Sequence, residues 1–274
     1  MSKDLFSLND KVIIITGGAG LLGVQHAEAI AEFGGIPVLL DINDREGIDK
    51  SKNISKKYGV NCLFFHCDIT NENSVNQTVS EVIKTVGSIH GLINNAANNE
   101  KMERRSEIPD HRLENISLST WEKDYNISVT GAFLCSRVIG PYMVENGGGV
   151  ILNISSDLGI IAPDQRIYQK DGIPADEQVV KPVTYSVVKH ALIGLTKYLS
   201  TYWLGKNIRV NALCPGGVYS GQPDTIVEKI NHRIPLGRMA RKDEYKSAIV
   251  FLLSEASSYM NGETVVMDGG RSTW

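Results

Sequence analysis

The stretch from residue 11 to residue 41 constrains the fold most. Residues 11–16 (KVIIIT) form a short β-branched apolar run, the pattern of a parallel strand buried on both faces. It leads into Gly17-Gly18-Ala19-Gly20-Leu21-Leu22-Gly23. A helical pattern follows through Phe33, Gly34-Gly35 stop it, and residues 36–40 give a second apolar run ending at Asp41. Strand, glycine turn, helix, strand and acid, in that order, make a dinucleotide-binding unit. The glycines let the backbone approach a pyrophosphate, and the N-terminus of the next helix favours its charge. Gly17, Gly20, Leu21 and Leu22 are the expected contacts there. Asp41, followed by Ile42, lies where a carboxylate can accept hydrogen bonds from both adenosine ribose hydroxyls. It would repel a 2′-phosphate, so NAD is expected over NADP; the nearby Arg45 keeps NADP as the second choice.

The alternation continues to the end of the chain. Helices are expected over residues 43–58, 74–86, 118–144, 183–204 and 241–254, and strands over 61–66, 89–93, 150–154, 207–213 and 262–267. This predicts one α/β Rossmann domain spanning 1–274, a doubly wound parallel sheet of about seven strands flanked by helices. Asp68-Ile69 follow the third strand, where an adenine would sit. Asp68 could equally cap the helix that Thr70 and Asn71 start. Asn94-Asn95-Ala96-Ala97 follow the fourth strand, and these amides and small residues suit backbone lying close to a cofactor. Pro215-Gly216-Gly217-Val218 follow the sixth. Three polar stretches, near 98–117, 157–182 and 216–238, read as a substrate entrance, a specificity loop and a lid.

Composition excludes several function classes. The formal net charge of −3 gives no electrostatic case for nucleic acid or an anionic membrane. No apolar run approaches a membrane span, and the N-terminus lacks the apolar region of a signal peptide. Four cysteines without C-x-x-C spacing suggest reduced thiols and a cytoplasmic protein. His66-Cys67-Asp68 is the nearest thing to a metal cluster, but adjacent strand residues alternate faces, so no metal is expected.

The chemistry points to Tyr185-Ser186-Val187-Val188-Lys189. A Tyr and a Lys four apart on a helix share a face. The ammonium, with a bound nicotinamide's charge, would favour the phenolate and draw its pKa from ~10 toward neutrality. A phenol so tuned exchanges a proton with an alcohol or carbonyl oxygen. The fifth strand delivers Ser155-Ser156 at its carboxyl end. His190 points elsewhere on the helix and reads as structural.

With these motifs in order, the chain resembles a short-chain dehydrogenase/reductase of the compact one-domain type. The resemblance runs from about residue 8 to 270 and rests on Thr16-Gly17, Asp68-Ile69, Asn94-Asn95-Ala96, Asn126, Ser156, Tyr185-x-x-x-Lys189, Asn211-Ala212 and Pro215-Gly216. It implies that Tyr185 is the general acid/base and that Lys189 holds the nicotinamide ribose and lowers the tyrosine pKa. It implies further that Ser156 binds the substrate oxygen and that Asn126 holds a water of the proton relay. The likeness also places Asn95, Ala96, Ala97, Pro215, Gly216 and Val218 at the cofactor. Ser156 is chosen over Ser155 because the family's serine stands three before a glycine, here Gly159. Three departures stand out. The T-G-x-x-G-x-x-G spacing is commoner in sugar-nucleotide epimerases and dehydratases, Ala97 replaces a glycine, and the Ser156-to-Tyr185 interval is long. That insertion resembles bacterial members linked to flagellin or surface-polysaccharide sugar modification.

The expected activity is NAD-dependent interconversion of a secondary alcohol and a ketone on a polar, sugar-like substrate. Asp157, Asp164 and Arg166 are the candidate substrate contacts. The alternatives are an epimerase or dehydratase using NAD transiently, and a non-catalytic NAD-binding protein. Family likeness implies a homo-oligomer, a dimer or tetramer, paired through residues 118–144 and 183–204.

Overall fold

The structure, a computed structural model, describes residues 4–98 and 112–274. Most of the first expected loop, residues 99–111, therefore lies outside the described residues. Seven strands form one parallel sheet: β1 Val12–Thr16, β2 Ile36–Asp41, β3 Leu63–His66, β4 Gly91–Asn94, β5 Gly149–Ile154, β6 Ile208–Pro215 and β7 Thr264–Met267. Their spatial order is β3-β2-β1-β4-β5-β6-β7, parallel throughout, with Thr16 beside Leu40 on one flank and Ile15 beside Ile93 on the other. The chain starts in mid-sheet and winds outward both ways, so a crevice opens between the carboxyl ends of β1 and β4.

Strand β1 shows why the sheet is covered twice. All five of its residues are buried. Val12 and Ile14 join one apolar core, whereas Ile13 and Ile15 join the other, because successive side chains point to opposite faces. The first core is closed by α3 (Glu72–Val86), α5 (Gly131–Glu145) and α6 (Val183–Tyr202). The second is closed by α1 (Leu21–Glu32), α2 (Asp44–Tyr58) and α8 (Lys246–Leu253).

Helices α2 and α3 start and stop by the same device. Asn43 and Asn71 accept from the amides of Glu46 and Ser74, and left-handed Gly59 and Gly87 end the helices. Asn71, not Asp68, therefore caps α3, which begins before the expected residue 74. The expected helix over 241–254 shortens to α8, because turns occupy residues 242–245. Between β4 and β5, α4 (Leu118–Tyr125), a π-helical turn (Asn126–Thr130) and α5 run as one rod. That rod is long and apolar enough by composition to cross a membrane, contrary to the sequence expectation, but half of its most apolar window is buried inside the fold. It reads as a core helix. The long interval after β5 holds two short 3₁₀ turns, Asp157–Gly159 and Gln165–Tyr168, and α7 (Asp224–Asn231) lies in the expected lid.

Candidate active site

The crevice at the sheet's carboxyl edge is stitched by Thr16. Its hydroxyl accepts from the amides of Asn95 (3.0 Å) and Ala96 (3.1 Å). Asn95 Nδ2 donates back to the carbonyls of Thr16 (3.0 Å) and Gly17 (3.1 Å). Gly17 is left-handed, and a Cβ there would stand 2.9 Å from the Ala96 backbone. The turn after β1 and the segment after β4 thus touch, and only glycine fits the contact.

Helix α1 begins differently from α2 and α3. Its N-cap, Gly20, supplies no side-chain hydrogen bond, so the first amides of a 12-residue helix point to the crevice without an internal acceptor. This is the cradle a pyrophosphate fits. Asp41, at the end of β2, is partly exposed; its Oδ2 accepts from Ala19 N and its Oδ1 from Asn43 N, each at 3.0 Å. The carboxylate braces the glycine turn and keeps lone pairs for ribose hydroxyls. Leu21 (47% exposed) and Ile42 (67% exposed) supply open apolar surface on either side. Arg45 is exposed beside them. Asp68 accepts from both the amide and the hydroxyl of Thr70, which holds the bend after β3. Ile69 is spent in the core, packed on Gly131, so its side chain is unavailable to a cofactor. Leu22, Ala97, Pro215, Gly216 and Val218 border the same edge; Gly216 is tied by its amide to Met267 O and by its carbonyl to the Tyr245 hydroxyl. The residues present therefore fit a nicotinamide dinucleotide.

The reacting end lies where β5 meets α6. Ser155 is committed to structure: its hydroxyl donates to Lys189 O at 2.8 Å. Ser156 Oγ donates to Asp157 Oδ1 at 2.8 Å, and Ser156 lies close enough to the Tyr185 phenol to favour its ionised form. Lys189 is 3% exposed, and its ammonium donates to Ile154 O at 2.8 Å while lying 5.7 Å from the Tyr185 ring centre. Burial lowers its pKa to about 8.

Tyr185 departs from the expected sign. Burial pushes its phenol up to about 12; the Ser156 hydroxyl and the Arg271 charge pull the other way, and the Asp157 charge adds to the rise. The i,i+4 lysine supplies too little to offset desolvation of a phenolate. A positive nicotinamide ring, when bound, would act in the lowering direction.

Asn126 opens the π-helical turn of the rod. It is exposed, and its Oδ1 accepts from Thr130 Oγ1 at 3.1 Å. Two residues on a helix lie roughly 200° apart, so the buried polar groups of this rod are Asp124 and Ser128 instead. Asp124 accepts from Thr184 Oγ1 (2.6 Å) and Asn98 Nδ2 (2.7 Å), tying α4 to the residue before Tyr185.

The candidate substrate contacts are already engaged. Asp157 is 2% exposed, and its Oδ2 accepts from Arg271 Nη1 at 2.7 Å. Asp164 pairs with Arg166 in a two-point contact and with Arg233. Those two guanidiniums hold its carboxyl far below the usual range. Arg166 keeps 76% of its side chain exposed. The sequence reading missed Arg271 and Lys181, whose ammonium lies 3.9 Å above the Tyr185 ring. A lysine four before Tyr185 was a readable signal; the tail arginine had none. The residues of the suggested metal cluster separate: His66 pairs with Asp44, Cys67 is buried and Asp68 turns to Thr70.

A parallel sheet with an uncapped helix at its switch point, and a Ser–Tyr–Lys constellation beside it, define a dinucleotide-dependent oxidoreductase. The short chain dehydrogenase family model matches residues 11–168, and the Enoyl-(Acyl carrier protein) reductase model matches residues 172–272. The chain belongs to the short-chain dehydrogenase family, whose members bind a nicotinamide cofactor. It is 31% identical to the NADP-dependent mannitol dehydrogenase of Alternaria alternata, over 98% of this chain and 94% of that one. It is 30% identical to the NAD-dependent glycerol dehydrogenase of Listeria innocua, over 97% and 95%. Among solved structures, NAD+-bound xylitol dehydrogenase has a TM-score of 0.82 at 26% identity, covering 96% of this chain and 99% of that one. A short-chain type dehydrogenase/reductase from Mycobacterium marinum reaches 0.83 at 28% identity, covering 98% of each chain.

Proposed function

We propose that this chain interconverts a secondary alcohol of a polyol or sugar derivative and the matching ketone, using NAD. The meeting of Ser156, Tyr185 and the buried Lys189 at the end of β5 carries this reading: the ammonium is pinned to Ile154 O and lies 5.7 Å from the Tyr185 ring. The named substrates of similar proteins support the substrate class: mannitol, glycerol and, in Mycolicibacterium smegmatis at 30% identity, D-threitol. The partly exposed Asp41 favours NAD, although the relatives divide between NAD and NADP.

The dinucleotide, when bound, supplies a hydride acceptor or donor at its nicotinamide C4. The uncapped turn of α1 would hold the pyrophosphate, Asp41 the adenosine ribose and Lys189 the nicotinamide ribose. Ser156 Oγ holds the reacting oxygen in place. In oxidation Tyr185, as phenolate, takes the hydroxyl proton; in reduction it returns that proton to the oxygen. Lys189 is pinned to the end of β5, so its charge stays beside the phenol.

The test is a panel of mannitol, glycerol, threitol, xylitol and sugar derivatives with NAD and NADP, followed at the reduced-nicotinamide absorbance. We expect polyol oxidation with NAD. Tyr185→Phe should lower turnover ~10²–10⁴-fold while NAD binding persists. Wild-type turnover in that variant overturns the reading. Conversion of a nucleotide sugar without net reduced cofactor would favour the epimerase reading. The likeness to flagellin and polysaccharide sugar-modifying members belongs to this proposal and is the reason for including sugar derivatives. A cytoplasmic setting belongs to it too, supported by four free, buried cysteines. So does a homo-oligomer built on the two long helices.

A further inference from the structure

The last four residues bear on the catalytic centre. Arg271 is 114 residues from Asp157, yet the two form an ion pair in which the arginine side chain keeps only 11% exposure and the aspartate 3%. The tail is shaped to deliver it. Asp268 accepts from the amides of Gly270 (2.9 Å) and Ser272 (2.8 Å), and Gly269 and Gly270 adopt left-handed conformations. Asp268 itself lies against Gly216, where a Cβ would meet its backbone at 2.8 Å. The other Asp157 oxygen accepts from Ser156 Oγ and Leu158 N, each at 2.8 Å.

We propose that Arg271 is a positioning residue of the active site: through Asp157 it fixes the Ser156 hydroxyl and screens the Tyr185 phenol from the Asp157 carboxylate. The inference rests on the roles assigned above to Ser156 and Tyr185. A buried carboxylate with one partner removed keeps its full charge against its neighbours. The charged and titratable groups facing Tyr185 are Asp157, Arg271, Lys181, Lys189 and Tyr168, with Ser156 beside it. Of these, Asp157 opposes the phenolate and Arg271 favours it. Without Arg271, the phenolate forms at higher pH and Ser156 loses its anchored acceptor.

The test uses the full chain labelled with 13Cζ-tyrosine, the Tyr185 resonance being assigned by its loss in Tyr185→Phe. With NAD bound, Arg271→Met should move the Tyr185 titration upward by about one pH unit, and Arg271→Lys should restore most of it. The double variant Asp157→Asn/Arg271→Met, which removes both charges, should also titrate near wild type. It serves as well if Arg271→Met alone folds poorly. With the fastest polyol of the panel, Arg271→Met should lower kcat about tenfold or more, shift the rise of kcat with pH upward, and leave NAD affinity unchanged. A wild-type titration in Arg271→Met overturns the proposal, as does an equal loss of NAD binding. If Tyr185→Phe retains turnover, the catalytic reading itself fails; if it does not and Arg271→Met titrates like wild type, only this inference fails.

Discussion

Charge at single side chains decides which cofactor the site takes and at what pH it works. Asp41 carries two backbone donors, so its position is fixed by the loop it braces. Asp41→Asn keeps the side chain's size and one of the two backbone acceptors, and removes the repulsion toward a 2′-phosphate. Hydrogen bonds to a charged group contribute about 1.5–3 kcal/mol, so the ratio of kcat/KM for NAD over NADP should fall ~10-fold or more. Steady-state rates with both dinucleotides check this, and an unchanged ratio removes Asp41 from the discrimination. Lys189 and Lys181 are both lowered to about 8 by burial. An unfolded lysine holds its proton to ~10.4. Between about pH 8 and 10 the unfolded chain therefore binds more protons than the folded one, and stability rises with pH through that window. Lys189→Met should flatten the rise, read as urea midpoints at pH 8 and pH 10. Tyr185 works the other way: its raised phenol pKa costs stability once pH passes ~10, where an unfolded tyrosine ionises and the buried one does not.

The elements show how much of the molecule could be read from sequence. The central strands β1 and β2 announced themselves as short apolar runs beside punctuating glycines, because a parallel strand buried on both faces needs no polar residue. The glycine turn was legible for the same local reason. Gly23 makes the point: a Cβ there would sit 2.2 Å from Gly17 O, so α1 can meet the turn after β1 only through glycine. Gly23→Ala should force that backbone apart, with a loss of about 1–3 kcal/mol of stability and weaker NAD binding. Thermal unfolding with and without NAD measures both, and a variant that melts and binds like wild type contradicts the close packing. Facing was harder than spacing. The motif alone points to Asn126, while the face that the rod buries carries Asp124, Ser128, Gly131, Ala132 and Cys135. That i, i+4, i+7 stripe was present in the sequence and leaves residue 126 outside it. Asp157 was misjudged for another reason: its partner Arg271 lies on a tail with no periodicity, and no local pattern reports a contact across 114 residues.

At the scale of the whole molecule, two arrangements join distant parts. Asp164, in the long interval after β5, binds Arg233 beside α7, and Lys229 of α7 donates to Gln169 O at 2.6 Å. The specificity loop and the lid are thus tied to each other by two side-chain contacts. The pairing stabilises this link at any pH above the ordinary carboxylate range and is lost only as pH falls through the depressed Asp164 value. The second arrangement concerns copies of the chain. The rod of α4 and α5 leaves Leu118 (71%), Tyr125 (39%) and Phe133 (44%) open, and α6 leaves Tyr198 and Tyr202 (62% each), with their rings stacked 5.7 Å apart. Residues 118 and 125 recur at seven, and 198 and 202 at four, so each set forms a stripe along its helix. Apolar stripes on two adjacent long helices are costly to leave in water, and a second copy presenting the same pair of helices about a two-fold axis would cover both. Light scattering after gel filtration should give a multiple of the 30.0 kDa chain mass. Phe133→Glu with Tyr202→Glu places charges on both stripes and should shift the chain toward monomer at micromolar concentration. It should also make the unfolding temperature independent of protein concentration, since mass action no longer contributes. A wild-type chain that stays monomeric, or a double variant that keeps its assembly, would mean these helices face solvent rather than a partner.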